Sequence, residues 1–227
     1  MGVLLSQAPV WAVFGIGVHG GIDMLTIDQQ DLITFNLIDS SNVALTREEI
    51  SNPYHFGVHV FLDMIPAPFI DELDLSLDFS SKKYRYEFTN PAYSLTESQI
   101  QPEEVNYGRV GVEVSIRHYL AKFPAMLETV RLYVGVGFGM QMISPLVSRD
   151  LVYDNLFNST NPLNLEEQDV INKSSRASFV GLVGFRIKPP LIPLSVRAEG
   201  RYHAMGEWDY EQPGNFFSIS LGLSYSM

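Results

Sequence analysis

The sequence predicts an all-β fold: eight antiparallel strands closed up-and-down into a transmembrane barrel, with short turns at one end and long loops at the other. Three observations carry this prediction. Apolar residues recur with period two, not 3.6, along eight segments. Those segments run to roughly 10–14 residues, where an ordinary strand has about 5–6. Short proline turns alternate with long polar stretches along the chain. No run of about 18 uninterrupted apolar residues occurs, so no transmembrane helix competes with this reading.

The first strand is Val10 to Asp23. Val10, Ala12, Phe14, Ile16, Val18 and Ile22 share one face; Gly15, Gly17, His19, Gly21 and Asp23 share the other. The second sets Tyr54, Phe56, Val58, Val60, Leu62 and Met64 against His55, Gly57, His59 and Asp63. The third sets Leu73, Leu75, Leu77 and Phe79 against Glu72, Asp74, Ser76, Asp78 and Ser80. Its parity slips near Ser80 to Lys83 and resumes as Tyr84, Tyr86 and Phe88, which reads as a β-bulge. The fourth alternates Val110, Val112, Val114 and Ile116 with Arg109, Gly111, Glu113, Ser115 and Arg117. The fifth alternates Val130, Leu132, Val134, Val136, Phe138 and Met140 with Arg131, Tyr133, Gly135, Gly137, Gly139 and Gln141. In the sixth, Phe179, Val183, Phe185 and Ile187 oppose Ser178, Gly184 and Arg186, while Val180 and Leu182 blur the pattern. The seventh sets Leu194, Val196, Ala198 and Tyr202 against Ser195, Arg197, Glu199, Arg201 and His203. The eighth sets Phe217, Ile219, Leu221, Leu223 and Tyr225 against Ser218, Ser220, Gly222, Ser224 and Ser226.

Short turns centre on Pro66-Ala67-Pro68, on Lys122 to Ala125 and on Pro189 to Pro193. Long segments cover residues 25–53, 90–107 and 143–174, and a shorter one covers 207–214. Within them, Thr46 to Ile50 and Leu146 to Phe157 read as short helices. Residues 1–9 read as a tail or signal-peptide remnant, with small residues up to Ala8, and 10–227 as one barrel domain.

A barrel turns one face in and one face out. Here the apolar face is nearly free of charge over eight strands, while the polar face mixes acids, arginines, serines and glycines. Water-facing positions more often carry Lys and Glu. Arginine prevails over lysine here, which suits paired charges inside a narrow lumen. The apolar face therefore points to lipid. A soluble lipocalin-like barrel, with the apolar face around a ligand, is the alternative. Aromatic residues near strand ends, Trp11, Tyr54, Tyr119, Tyr202, Trp208 and Tyr225 among them, suit membrane interfaces. The chain is 46% hydrophobic and only 18% charged, with no cysteine and a net charge of -11. That leaves no disulfide and no thiolate metal site, and it argues against a nucleic-acid partner, which requires a basic surface.

With these strands and the closing segment Phe217-Ser-Ile-Ser-Leu-Gly-Leu-Ser-Tyr-Ser-Met227, the chain resembles the small eight-stranded outer-membrane barrels, the OmpA/OmpX/OmpW-like group. The resemblance covers residues 10 to 227 and rests on architecture. The final residue is Met227 where that group usually has phenylalanine. The resemblance implies a bacterial outer membrane, long loops outside and both termini in the periplasm.

Candidate sites follow from the faces. Glu113, Arg117, Arg131, Arg197, Glu199 and Arg201 are expected to form a paired lumen network with a structural role. Gly15 to Gly20 matches G-x-G-x-x-G, but no helix follows as a dinucleotide site requires. His19, His55 and His59 read as satisfied lumen histidines. His118 falls near a strand end on the apolar face. It lies on the opposite face from Ser115, so the two do not form the lipid-facing Ser–His pair of lipid A deacylases or acyltransferases.

The four loop segments hold 16 acids and 3 bases, leaving +2 for the rest of the chain. Glu103, Glu104, Glu166, Glu167 and Asp169 are candidates to hold divalent cations at the outer rim; no other cofactor is expected. The function expected is a non-enzymatic surface role in structure, adhesion or complex docking through the acidic loops. Its partners are membrane lipid, lipopolysaccharide and a protein met by the loops. Alternatives are a narrow channel for small or apolar solutes, a lipid A-modifying enzyme and the soluble binder.

Overall fold

The computed structural model describes residues 13–36, 42–67, 69–89, 103–124, 129–143, 175–190, 192–206 and 214–226. They form twelve strands: β1 (Val13–Met24), β2 (Thr26–Ile27), β3 (Gln30–Asn36), β4 (Asn42–Arg47), β5 (Ile50–Ser51), β6 (Tyr54–Ala67), β7 (Ile70–Thr89), β8 (Glu103–Phe123), β9 (Val130–Ile143), β10 (Ser175–Ile187), β11 (Leu194–Ala204) and β12 (Asn215–Ser226). Eight of these, in the order β7-β6-β1-β12-β11-β10-β9-β8, make one antiparallel sheet, and a β7–β8 pairing closes it. Closure gives every barrel strand two hydrogen-bonded neighbours and leaves no edge. At the seam between first and last barrel strands, β1 and β12 run in unbroken register from Gly15↔Ser226 to Met24↔Phe217.

Residues 68–69, 124–129 and 188–193 connect strands at one end, the turn end, where β1 begins and β12 ends. The longer connections lie at the opposite, loop end. Outward positions are apolar and exposed: Phe14, Ile16 and Val18 on β1, Phe56, Val58 and Val60 on β6, and Ile219, Leu221 and Leu223 on β12. Inward positions are buried and polar. The barrel is thus inside-out relative to a water-soluble protein.

Near the loop end the inward face changes character. On β7 the inward residues run from Ser80 to Tyr84, on β8 from Arg109 to Tyr107, on β9 from Gln141 to Ile143, on β11 from His203 to Met205 and on β12 from Ser218 to Phe216. After Asp23 the chain continues inward with Leu25 and Ile27. All these apolar residues, with Ile50, pack into one buried cluster. The physical reason is the surroundings. Where lipid lies outside, apolar residues face out; where water lies outside, they face in.

Three sequence expectations change. No bulge occurs near Ser80: β7 and β8 pair without a shift from Glu72↔Arg117 to Tyr86↔Glu103. The parity change there marks the inversion of polarity, not an inserted residue. The register shifts between barrel strands lie at the turn end instead, between Tyr119 and Ala121 of β8 and between Asp63 and Ala67 of β6. Thr46 to Ile50 is no helix: Thr46 and Arg47 end β4 and Ile50 begins β5. Leu146 to Phe157 lies outside the described residues. β7 and β8 reach 20 and 21 residues, because they continue beyond the barrel and the β3–β4 hairpin pairs onto β7 there.

Those extensions also move charge. Beyond the Tyr54↔Ser81 pair, β7 carries Lys82, Lys83, Arg85 and Glu87. Counted with the loops, they leave equal numbers of acids and bases in the rest of the chain. By sequence, the loop segments and this extension together carry the whole net charge of -11.

Candidate functional site

The candidate site is the filled lumen and the lid above it. Strand alternation delivers one inward side chain every second residue, so neighbouring strands stack their polar residues into layers. Glu72 of β7 is the hub of the layer toward the turn end. Arg117 Nη1 donates to it at 2.8 Å, Arg186 Nη1 at 2.8 Å, Arg197 Nη2 at 2.6 Å and the Tyr119 hydroxyl at 2.7 Å. Asp74 takes Arg117 at 2.7 Å and Arg197 at 2.9 Å. Asp63 takes Arg131 at 2.9 Å and Arg186 at 3.3 Å. Glu199 is held by Arg117 at 3.1 Å, by Arg201 and by the Tyr133 hydroxyl at 2.8 Å. These residues are almost wholly buried, and such charges are tolerable only when partnered this densely.

Aromatic rings line the same layer. The Arg186 guanidinium lies 4.4 Å from the centre of the Phe61 ring and that of Arg131 lies 5.1 Å from Tyr119. Gly15 leaves the space Phe61 fills: a Cβ there would come 2.1 Å from its Cζ.

The lumen histidines lie on the loop-end side of this layer. The Nδ1 atoms of His19 and His59 meet at 3.2 Å; His19 Nε2 bonds Asp78; His59 Nε2 lies 2.9 Å from Ser224 Oγ. His55 sits 2.9 Å from Asp23, which also takes Arg109 at 2.7 Å. His203 stacks on Phe216 at 4.3 Å and lies 3.8 Å from Glu113. A small cavity remains among Asp23, His55, Asp78, Arg109, Arg201 and His203, with space for about one water. Among the described residues no His, Cys, Asp or Glu group has a geometry that would hold a metal ion.

Above this stands the apolar lid. β2 and β5 pair at Thr26↔Ser51 and Ile27↔Ile50, and Ile50 is fully buried. Backbone bonds from Asp23 N to Pro53 O and from Asn52 N to Leu25 O, both 2.9 Å, tie this ledge to the barrel rim. Arg47 Nη2 donates to Asp28 O at 2.9 Å and braces it.

The structure brings Arg117, Arg131, Arg197, Glu199 and Arg201 of the expected network together around partners outside that set: Asp63, Glu72, Asp74 and Arg186. Glu113 stands apart. It is buried, Arg201 and the His203 imidazole are 3.7 and 3.8 Å away, and neither carboxylate oxygen accepts a hydrogen bond. Val180 and Leu182, which blurred their strand, point inward and are buried. The signal for the missing partners was present, since Glu72, Asp74 and Arg186 hold inward positions in the period-two pattern. Tyr133 holds such a position too; Phe61 was not placed on either face, because an aromatic residue suits both. Glu103 and Glu104 begin β8, in register with Tyr86 and Arg85. Glu166, Glu167 and Asp169 lie outside the described residues. His118 is on the outer wall, where it meets Asp71 at 2.7 Å.

No family model matches the chain, and no curated protein matches it. Solved structures do. Neisserial surface protein A is 9% identical, with a TM-score of 0.48 over 95% of this chain and 97% of that one. Ail, the attachment invasion locus protein of Yersinia pestis, crystallised with the heparin analogue sucrose octasulfate, is 13% identical, with a TM-score of 0.42 over 95% and 99%. The outer membrane protein OprG from Pseudomonas aeruginosa is 8% identical, with a TM-score of 0.40 over 95% and 96%.

Proposed function

We propose that this protein is a non-enzymatic barrel of a bacterial outer membrane, with both termini periplasmic, that docks a partner through its acidic loop end. One observation carries the membrane reading: a continuous exposed apolar wall surrounds a buried, charged lumen. In water that arrangement would expose the apolar wall and bury the charges, opposing folding on both counts. Heat-modifiable migration on a gel after detergent extraction tests it. The folded band should run separately from the boiled one, and recovery in the aqueous fraction without detergent would overturn it.

The docking reading is supported by where charge and order lie. The loop end carries the net charge and is raised on β7, β8 and the β3–β4 hairpin above a closed lid. Such a surface attracts a cationic partner, or divalent ions that bridge it to lipopolysaccharide phosphates. Calcium titration of the detergent-folded protein should slow hydrogen exchange at the loop end. Unchanged exchange argues against the bridging ions. The packed arginine–carboxylate layer and the lid above it favour docking over a channel for small solutes.

A further inference from the structure

The outer wall departs from its own pattern at one place. From the turn end to the level of Ser81, the outward positions of the described barrel strands carry no carboxylate, imidazole or basic side chain other than Asp71 and His118. The register that pairs Glu72 with Arg117 sets Asp71 of β7 opposite His118 of β8. His118 Nδ1 lies 2.7 Å from Asp71 Oδ2, and the Tyr119 backbone N–H donates to that same oxygen at 2.8 Å. Among the described residues the other carboxylate oxygen takes no hydrogen bond, and His118 Nε2 makes none. The two side chains are 29% and 43% exposed, unlike the sealed pairs of the lumen. Phe69, in the adjoining turn, is 81% exposed and sets its ring edge-on to His118 at 6.1 Å.

A carboxylate on a lipid-facing wall is costly in the hydrocarbon and tolerable at its edge. Asp71 is the second residue of its strand, so it stands at that edge. Its free oxygen suits a hydrogen-bonding cation. With Nδ1–H donated to Asp71, the imidazolium form of His118 presents Nε2–H to a phosphate oxygen. Phe69 offers an apolar surface for the glycerol or acyl portion. Two complementary polar groups side by side on an otherwise apolar wall match a head that carries both charges.

We propose that Asp71 and His118 form a headgroup site for a phospholipid with a phosphate and a primary ammonium, a phosphoethanolamine head. A quaternary ammonium has no N–H to give the carboxylate, and an anionic glycerol head brings no cation to it. The site rests on the membrane reading above.

The test uses the folded full chain in nanodiscs of equal phosphatidylethanolamine, phosphatidylcholine and phosphatidylglycerol, with co-released lipid read by native mass spectrometry. Phosphatidylethanolamine should be retained about ten-fold over each of the others, the scale of one charge-assisted hydrogen bond. Asp71→Asn should remove its advantage over phosphatidylglycerol, and His118→Gln should lower its retention. Equal retention by the unmodified protein, or an unchanged preference in His118→Gln, overturns the site whether or not Asp71→Asn folds. Displacement of the lipid by equimolar soluble phosphoethanolamine would assign the site to the free head and overturn the lipid proposal. A chain that never enters the nanodisc overturns the membrane reading instead, whereas an inserted chain without headgroup preference overturns this site alone.

Discussion

Glu72 shows how a single inward position can organise a lumen. It accepts hydrogen bonds from three guanidiniums and one phenol. Removing it leaves three buried cations short of an anion. Glu72→Ala should therefore cost about 3–5 kcal/mol, the range for breaking a buried ion pair, read by urea unfolding in lipid vesicles. Glycines set the other residue-scale limit. A Cβ on Gly21 would come 1.9 Å from the backbone oxygen of Ile219, on the strand that closes the barrel. Backbone cannot step aside as a side chain can, so Gly21→Ala should cost about 1–3 kcal/mol. Gly181 faces outward with nothing near its added Cβ, and Gly181→Ala should stay within about 0.5 kcal/mol in the same assay. The sequence shows Glu72 and Gly21 as inward and leaves Gly181 unplaced. It cannot show which Arg meets which Glu, because partners such as Arg186 and Glu72 are 114 residues apart.

At the scale of elements, the departure from expectation is the stretch from Leu25 to Ser51. As sequence it reads as a polar loop with a short helix. In the fold, Leu25, Ile27 and Ile50 join residues from four barrel strands, and Met205 just past β11, in an apolar lid. Leu25 and Ile27 keep the inward parity of Asp23, but the change from polar to apolar hides that continuation, and Ile50 stands far along the chain from both. The same inversion explains β7: Tyr84 is inward like Ser80, and only the solvent outside has changed. Lid and barrel are thus built on opposite polarity rules. Ile50→Asp should open the lid and leave the barrel closed. Limited proteolysis should cut near residues 25–53 faster, while heat-modifiable migration persists; loss of that migration would show that the lid is needed for closure.

The whole molecule is best tested by its wall. Val58 is exposed at mid-height on β6. If lipid covers it, Val58→Arg should cost about 2–4 kcal/mol. If water covers it, the same change should fall within about 0.5 kcal/mol, so one urea titration separates the two environments. The packed lumen also predicts that the reconstituted protein passes no steady current in a planar bilayer; a stable single-channel step would favour the narrow-channel reading. The sequence by itself determined eight strands, their inward and outward faces, the alternation of turns and loops, and the acidity of one end. Each follows from period, composition or connection length, which are local properties of the chain. Tertiary structure alone decided which lumen charges pair, where the strands slip register, that an apolar lid closes the loop end, and that Asp71 meets His118 on the outer wall. Those depend on which strands become neighbours and at what stagger. Ring closure brings together residues far apart in the chain, and no local pattern encodes that.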